Sequence, residues 1–79
     1  MSSDTKIIDY VAEDFLKKNG VDLRQNELAL KRLTEAAQKA ELDLLTGDKA
    51  EISLPFIAAN KKGPLHVNMR LTRAQLDAV

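Results

Sequence analysis

At Gly47 the spacing of apolar residues changes from three-and-four to two, and that switch limits the chain to a mixed fold with helices before it and strands after it. Ahead of the switch, apolar residues recur at Ile8, Val11 and Phe15, with Ile7, Tyr10 and Leu16 flanking them, which is a helical stripe. Ser3 or Asp4 is placed to cap its start, and Asn19-Gly20 to end it, because glycine accepts the left-handed position after a helix without steric cost. A second helix carries Leu30, Leu33, Ala37, Ala40 and Leu44 on one face. For its start, Asp22 with Gln25 has capping-box spacing and Asn26 is a rival cap. Gly47 stops it. The short connection over residues 19–24 implies an antiparallel helix hairpin.

After the switch, Ile52, Leu54 and Phe56 alternate with Glu51, Ser53 and Pro55, and Leu65, Val67, Met69 and Leu71 alternate with His66, Asn68 and Arg70. These are two strands with one buried face each. Residues 58–64 read as a loop longer than a tight turn, and Pro55 places the first strand at an edge, since proline cannot donate to a ladder. Thr72 and Gln75 form another capping box, opening a short last helix through Leu76. The expected fold is α+β: an antiparallel helix hairpin, an antiparallel β-hairpin and a short C-terminal helix.

The bulk numbers exclude several functions. Seventy-nine residues allow one domain. Twelve basic residues balance twelve acidic ones, so no general attraction to nucleic acid or an anionic membrane is expected. There is no cysteine, hence no disulfide framework and no thiolate metal site. The start MSSDTK lacks the apolar run of a signal peptide, and no run approaches the roughly 18 residues of a membrane span, so a cytoplasmic setting is the default.

Catalytic chemistry finds no support either. The single histidine, His66, reads as a surface residue on the outward side of its strand. The three glycines are isolated, so no phosphate-cradling loop is present. Ser53 has no visible base and acid around it. Glu13 with Asp14, and Glu41 with Asp43, read as solvated helix charge. The pairs Lys17-Lys18, Lys31-Arg32 and Lys61-Lys62 are spread over three elements with no aromatic between them, unlike a single-strand binding groove. The chain reads as no enzyme, with no metal and no cofactor of its own.

Three stretches, VDLRQNELALKRLTEAAQKAELDL, ISLPFI and GPLHVNMRLTRAQLDAV, resemble in order and spacing the peripheral subdomain of lobe II (subdomain IIB) in the nucleotide-binding domain of the 70-kilodalton heat-shock chaperones, the DnaK family. The resemblance covers residues 4–79 as one domain, leaves residues 1–3 as an added start, and is closer to bacterial and organellar members than to eukaryotic cytosolic ones. It implies a piece of an ATP/ADP-binding chaperone whose phosphate loops, magnesium carboxylates and catalytic lysine lie elsewhere. Such a piece would supply one wall of the adenosine pocket and a surface for a nucleotide-exchange factor.

The resemblance also implies site positions. Gln38, Glu41, Leu42 and Leu45 match the family positions that hold adenine and ribose, where glutamate, lysine, a basic or aliphatic residue and serine are usual. Lys31 and Arg32 match a basic pair that contacts exchange factors, with Glu51 and Ser53 as neighbours. At about 100° per residue, the Gln38–Leu45 stripe is centred roughly 110° round the helix from the core stripe. Leu42 and Leu45 should therefore be exposed in the monomer and drive any self-association. The alternative is that the hairpin or the last helix folds over them. The substitutions also fit an engineered scaffold that uses this apolar patch to bind another protein surface.

Overall fold

The computed structural model, which describes residues 3–77, has the expected order of elements: α1 (Ser3–Asn19), a 3-10 turn (Leu23–Gln25), α2 (Glu27–Thr46), β1 (Lys49–Asn60), β2 (Gly63–Thr72) and α3 (Arg73–Asp77). The proposed cap at Ser3 or Asp4 falls on side chains outside the described residues. At the other end of α1, Gly20 takes φ 71° and its N–H donates to the Leu16 carbonyl at 2.8 Å. A residue with a Cβ would be strained there.

Both rival caps are used, on successive elements. Asp22 accepts from the Arg24 N–H at 3.0 Å and opens the 3-10 turn. Asn26 accepts from the Ala29 N–H at 3.0 Å and opens α2. Arg24 then gathers three carboxylates. Its Nε donates to Asp22 at 2.9 Å, one Nη to Asp9 at 3.2 Å and the other to Glu13 at 2.9 Å. The fork of the guanidinium ties the connection back along α1.

The two helices lie on one face of an antiparallel two-stranded sheet, with α2 against both α1 and β1. Ile7 at the start of α1 shares a groove with Leu44 at the end of α2, so the helices are antiparallel. The core joins Ile7, Val11, Ala12 and Phe15 of α1 to Ala29, Leu33, Ala37, Ala40 and Leu44 of α2. Ala50, Ile52, Leu54, Ile57, Val67 and Leu71 close it from the sheet, with Leu23 and Leu76 at its ends. Two expected positions shift by one residue. Ile7 replaces Ile8 because it lies on the straight line Ile7–Val11–Phe15, leaving Ile8 partly buried. Ala29 replaces Leu30, since Ala29 is four residues before Leu33, and Leu30 is turned to the flank.

The hairpin departs further from expectation. The ladder pairs Leu54 with Val67 and then Ala58 with Leu65, so Pro55, Phe56 and Ile57 stand opposite His66 alone. This bulge inverts the inside-outside alternation: Ile57 is buried, while Phe56 has φ 54° and is 70% exposed. The expectation that Phe56 faces the core is thus corrected. Left-handed backbone costs a bulky residue on the order of 1–3 kcal/mol, so neighbouring contacts must hold it. The expected loop over residues 58–64 is also replaced by ladder. Asn60 pairs with Gly63 across a two-residue turn, and the Asn60 Oδ1 accepts from the Lys62 N–H at 2.8 Å. Gly63, the paired residue that follows the turn, takes φ 126°, which a residue with a Cβ rarely adopts.

The last helix starts from the predicted capping box: the Gln75 N–H donates to Thr72 Oγ1 at 3.2 Å, and the Thr72 N–H donates to Gln75 Oε1 at 2.9 Å.

Replacing Arg24 should test the carboxylate cluster. Its hydrogen bonds, above all the side-chain one, hold the Asp22 carboxyl below its ordinary value of 3.8. A depressed carboxyl stabilises the fold above its unfolded pKa, and that contribution is lost as pH falls through the lower folded value. We expect Arg24→Met to lower the melting temperature at pH 7 and to differ progressively less from the parent as pH drops below 3.8. Thermal melts followed by circular dichroism at both pH extremes check this.

Candidate functional site

The far end of α2 carries the four positions matched to an adenosine wall. The helix is unbroken through them, with spacing i, i+3, i+4, i+7, so Gln38, Glu41, Leu42 and Leu45 share one flank. Leu42 is 64% and Leu45 70% exposed, as expected, and neither the hairpin nor α3 covers them. Gln38 is exposed and Glu41 half-buried.

Beside this flank lies a groove of about 220 Å³ bounded by Lys6 and Ile7, by Glu41, Leu44 and Leu45, and by Arg73 and Leu76. Its corner is fixed by Arg73. The Nε of Arg73 donates to the Leu44 carbonyl at 2.8 Å, and an Nη donates to the same oxygen. A cation thus satisfies a carbonyl of the last turn of α2, where the helix dipole favours positive charge. Chemically, the flank is an apolar shelf with one amide and one carboxylate. It can pack against a flat apolar group, but offers no hydroxyl and no cation of its own to a ribose phosphate.

The start of α2 carries the second set. Lys31 is exposed, whereas Arg32 reaches across to the bulge, donating to the Pro55 carbonyl at 2.7 Å and the Phe56 carbonyl at 3.2 Å. Glu51 pairs with Arg70 across the sheet at 3.3 Å, and Ser53 faces Asn68 in the register. Glu51 and Ser53 alternate with the buried Ile52 and Leu54, so they occupy the sheet face away from the helices. The structure therefore joins Lys31 and Arg32 with Leu28, Glu35 and Phe56 around one groove, and separates them from Glu51 and Ser53.

His66 has a task the sequence reading missed. Although exposed, it accepts the Phe56 N–H on Nδ1 at 2.8 Å, and its ring meets the Phe56 ring edge to face, with centroids 4.8 Å apart and planes at 79°. The signal was the run Leu54-Pro55-Phe56-Ile57, in which strict alternation buries either Phe56 or Ile57 depending on whether a bulge intervenes. Leu28, 75% exposed at the mouth of the same groove, was missed because it lies off the core stripe. Among the described residues no cluster of histidine, cysteine and carboxylate side chains could hold a metal ion, and no helix is long and apolar enough to cross a membrane.

Comparison with known proteins gives one family. The family model described as Hsp70 protein matches residues 2–79. Chaperone protein DnaK of Burkholderia cenocepacia (strain HI2424) is 50% identical over 76 residues, covering 96% of this chain and 12% of that protein. Chaperone protein DnaK of Burkholderia orbicola (strain MC0-3) gives the same values. The chain thus spans 12% of the length of these relatives.

Because Leu42 and Leu45 are exposed, their replacement should leave the fold intact. We expect Leu42→Lys with Leu45→Ser to change unfolding free energy by no more than about 0.5 kcal/mol, as for surface positions generally. Urea denaturation checks this, and a loss of several kcal/mol would place the two leucines in the core.

Proposed function

The chain belongs to the Hsp70 family, and from that membership we propose that it is a subdomain IIB unit of a DnaK-type ATPase domain, able to fold as one body but not catalytic alone. The carrying observation is a family match over residues 2–79 of a chain whose helices, hairpin and last helix close a single core. In a longer DnaK-type protein, such a unit supplies one wall of an ATP or ADP site and a docking surface for a nucleotide-exchange factor, in the cytoplasm of a bacterial or organellar type of host. Gln38, Glu41, Leu42 and Leu45 are the wall residues in this reading.

The same residues explain why the isolated chain should bind nucleotide poorly. One wall leaves most of the ligand in water, and a useful pocket buries most of it. Glu41 opposes phosphate charge where the family usually has a lysine, and Leu45 replaces a hydroxyl. In a titration followed by NMR, ATP should not saturate the chain below about millimolar concentration. Saturation at micromolar ATP, centred on α2, would refute the reading. Glu41→Lys with Leu45→Ser should strengthen whatever binding is seen. No ATP turnover should accompany the purified chain, because phosphoryl transfer needs phosphate-positioning groups and usually magnesium.

For the exchange-factor surface, Lys31 and Arg32 are the proposed contacts. Lys31 has its charge free for a partner, while the Arg32 guanidinium supports the bulge beside it. We expect Lys31→Glu to weaken binding of a DnaK exchange factor by about tenfold in calorimetry, as for a charge reversal at an interface. Unchanged affinity would remove Lys31 from the contact.

A second reading is favoured by one observation, the exposure of Leu42 and Leu45 on adjacent turns. Each represents roughly 1.5–3 kcal/mol of unused burial, enough for a weak dimer once docking costs are subtracted. In this reading α2 is the interaction face of a scaffold. Concentration-dependent sedimentation that disappears in the Leu42→Lys, Leu45→Ser variant supports it, and a monomer at all concentrations excludes it.

A further inference from the structure

The bulge in β1 leaves polar backbone groups that the ladder cannot satisfy. Three residues, Pro55 to Ile57, stand opposite the single residue His66. Pro55 has no N–H to place, but Phe56 has one, and its partner is the imidazole Nδ1 at 2.8 Å. The carbonyls of Pro55 and Phe56 are taken by the two Nη atoms of Arg32. The left-handed backbone at Phe56 is therefore held from both sides, by an acceptor on β2 and by a donor fork on α2.

We propose that His66 is a proton-sensitive latch on this bulge: the neutral imidazole holds the Phe56 backbone in place, and protonation releases it. An imidazole nitrogen accepts a hydrogen bond only while it carries no proton, and in the imidazolium both nitrogens are donors. Protonation thus sets N–H against N–H where a bond had been. On the α2 side of the bulge, Arg32 is a positive charge bound to the Pro55 and Phe56 carbonyls. On the α1 side, Asp14 and Lys18 line a cleft with His66 and Val67, but they are bound to each other at 3.1 Å. Glu35 and Lys31 of α2 border the groove beyond Phe56, and the neighbours Leu65, Val67 and Pro55 are uncharged. Among the described residues, none of these carboxylates is bonded to the His66 ring.

The latch is closed while the imidazole is neutral and open once it carries the second proton. Opening frees the residue whose ring, with Leu28, forms the most exposed apolar part of the groove beside Lys31 and Arg32. The consequence for a partner rests on the exchange-factor reading of that groove, but the latch itself does not, and its test uses no partner.

The test is a pH titration of the whole chain by NMR, following the Phe56 amide and the His66 ring together. We expect the Phe56 amide to be protected from solvent exchange at pH 8, and its protection factor to fall about tenfold by pH 5, as the loss of one hydrogen bond implies. The change should share its midpoint with the ring. His66→Asn offers an untitratable oxygen near the position of Nδ1 and should keep protection level across the range, whereas His66→Ala should remove it throughout. A Phe56 amide that stays protected while the ring titrates overturns the proposal, as does a pH dependence that survives in His66→Asn. Should His66→Asn fail to fold, the parent chain decides alone, because separate midpoints for amide and ring also overturn it.

Discussion

A two-stranded sheet with one solvated face is marginal by itself, and here the buried face of β1 rests on the apolar stripe of α2, while Val67 of β2 shares a cleft with Val11 and Phe15 of α1. That stripe also has to receive α1. Two neighbours on one narrow face require small side chains between larger wedges, and the sequence Ala29, Leu33, Ala37, Ala40, Leu44 has that character. The alanines let backbones approach, and the leucines fill the space between elements. On the remaining circumference of α2, Lys31, Gln38, Leu42 and Leu45 are left to solvent or to partners.

The division of α2 into two ends follows from the same arrangement. At its start the helix faces the bulge of β1, and an arginine is committed to backbone carbonyls there. At its end the helix is closed by Arg73 from the last helix. Arg32 and Arg73 act alike: each lends a guanidinium to carbonyls that irregular backbone or a helix end leaves without partners. Such bonds involve a charged donor and are stronger than neutral ones. Arg24 does the complementary job with carboxylates along α1. A fold without cysteine has three arginines where its chain leaves regular structure.

Most of this was legible from periodicity. The order and type of the main helices and strands followed from the change of spacing at Gly47, and the Thr72–Gln75 box from its motif, while the 3-10 turn Leu23–Gln25 was not expected. The exposure of Leu42 and Leu45 followed from helix geometry alone. What stayed hidden depended on tertiary choices between near neighbours. Ile7 or Ile8, and Ala29 or Leu30, differ by one helical step, and size drew the reading to Leu30 although position decided for Ala29. Phe56 or Ile57 depended on a bulge that period-two counting cannot see. The tight turn at Lys61-Lys62 was hidden for the opposite reason: residues 58–64 carry turn-forming types on a stretch that is mostly paired. His66 could not be given a task because its acceptor role exists only once the bulge leaves an N–H without a ladder partner.

The groove bounded by Lys6, Ile7, Leu44, Arg73 and Leu76 brings the first turns of α1 and the last helix to one corner of the molecule. A longer chain carrying this unit would therefore enter and leave it side by side. Units with adjacent entry and exit can be inserted into another domain, or permuted, without stretching the host.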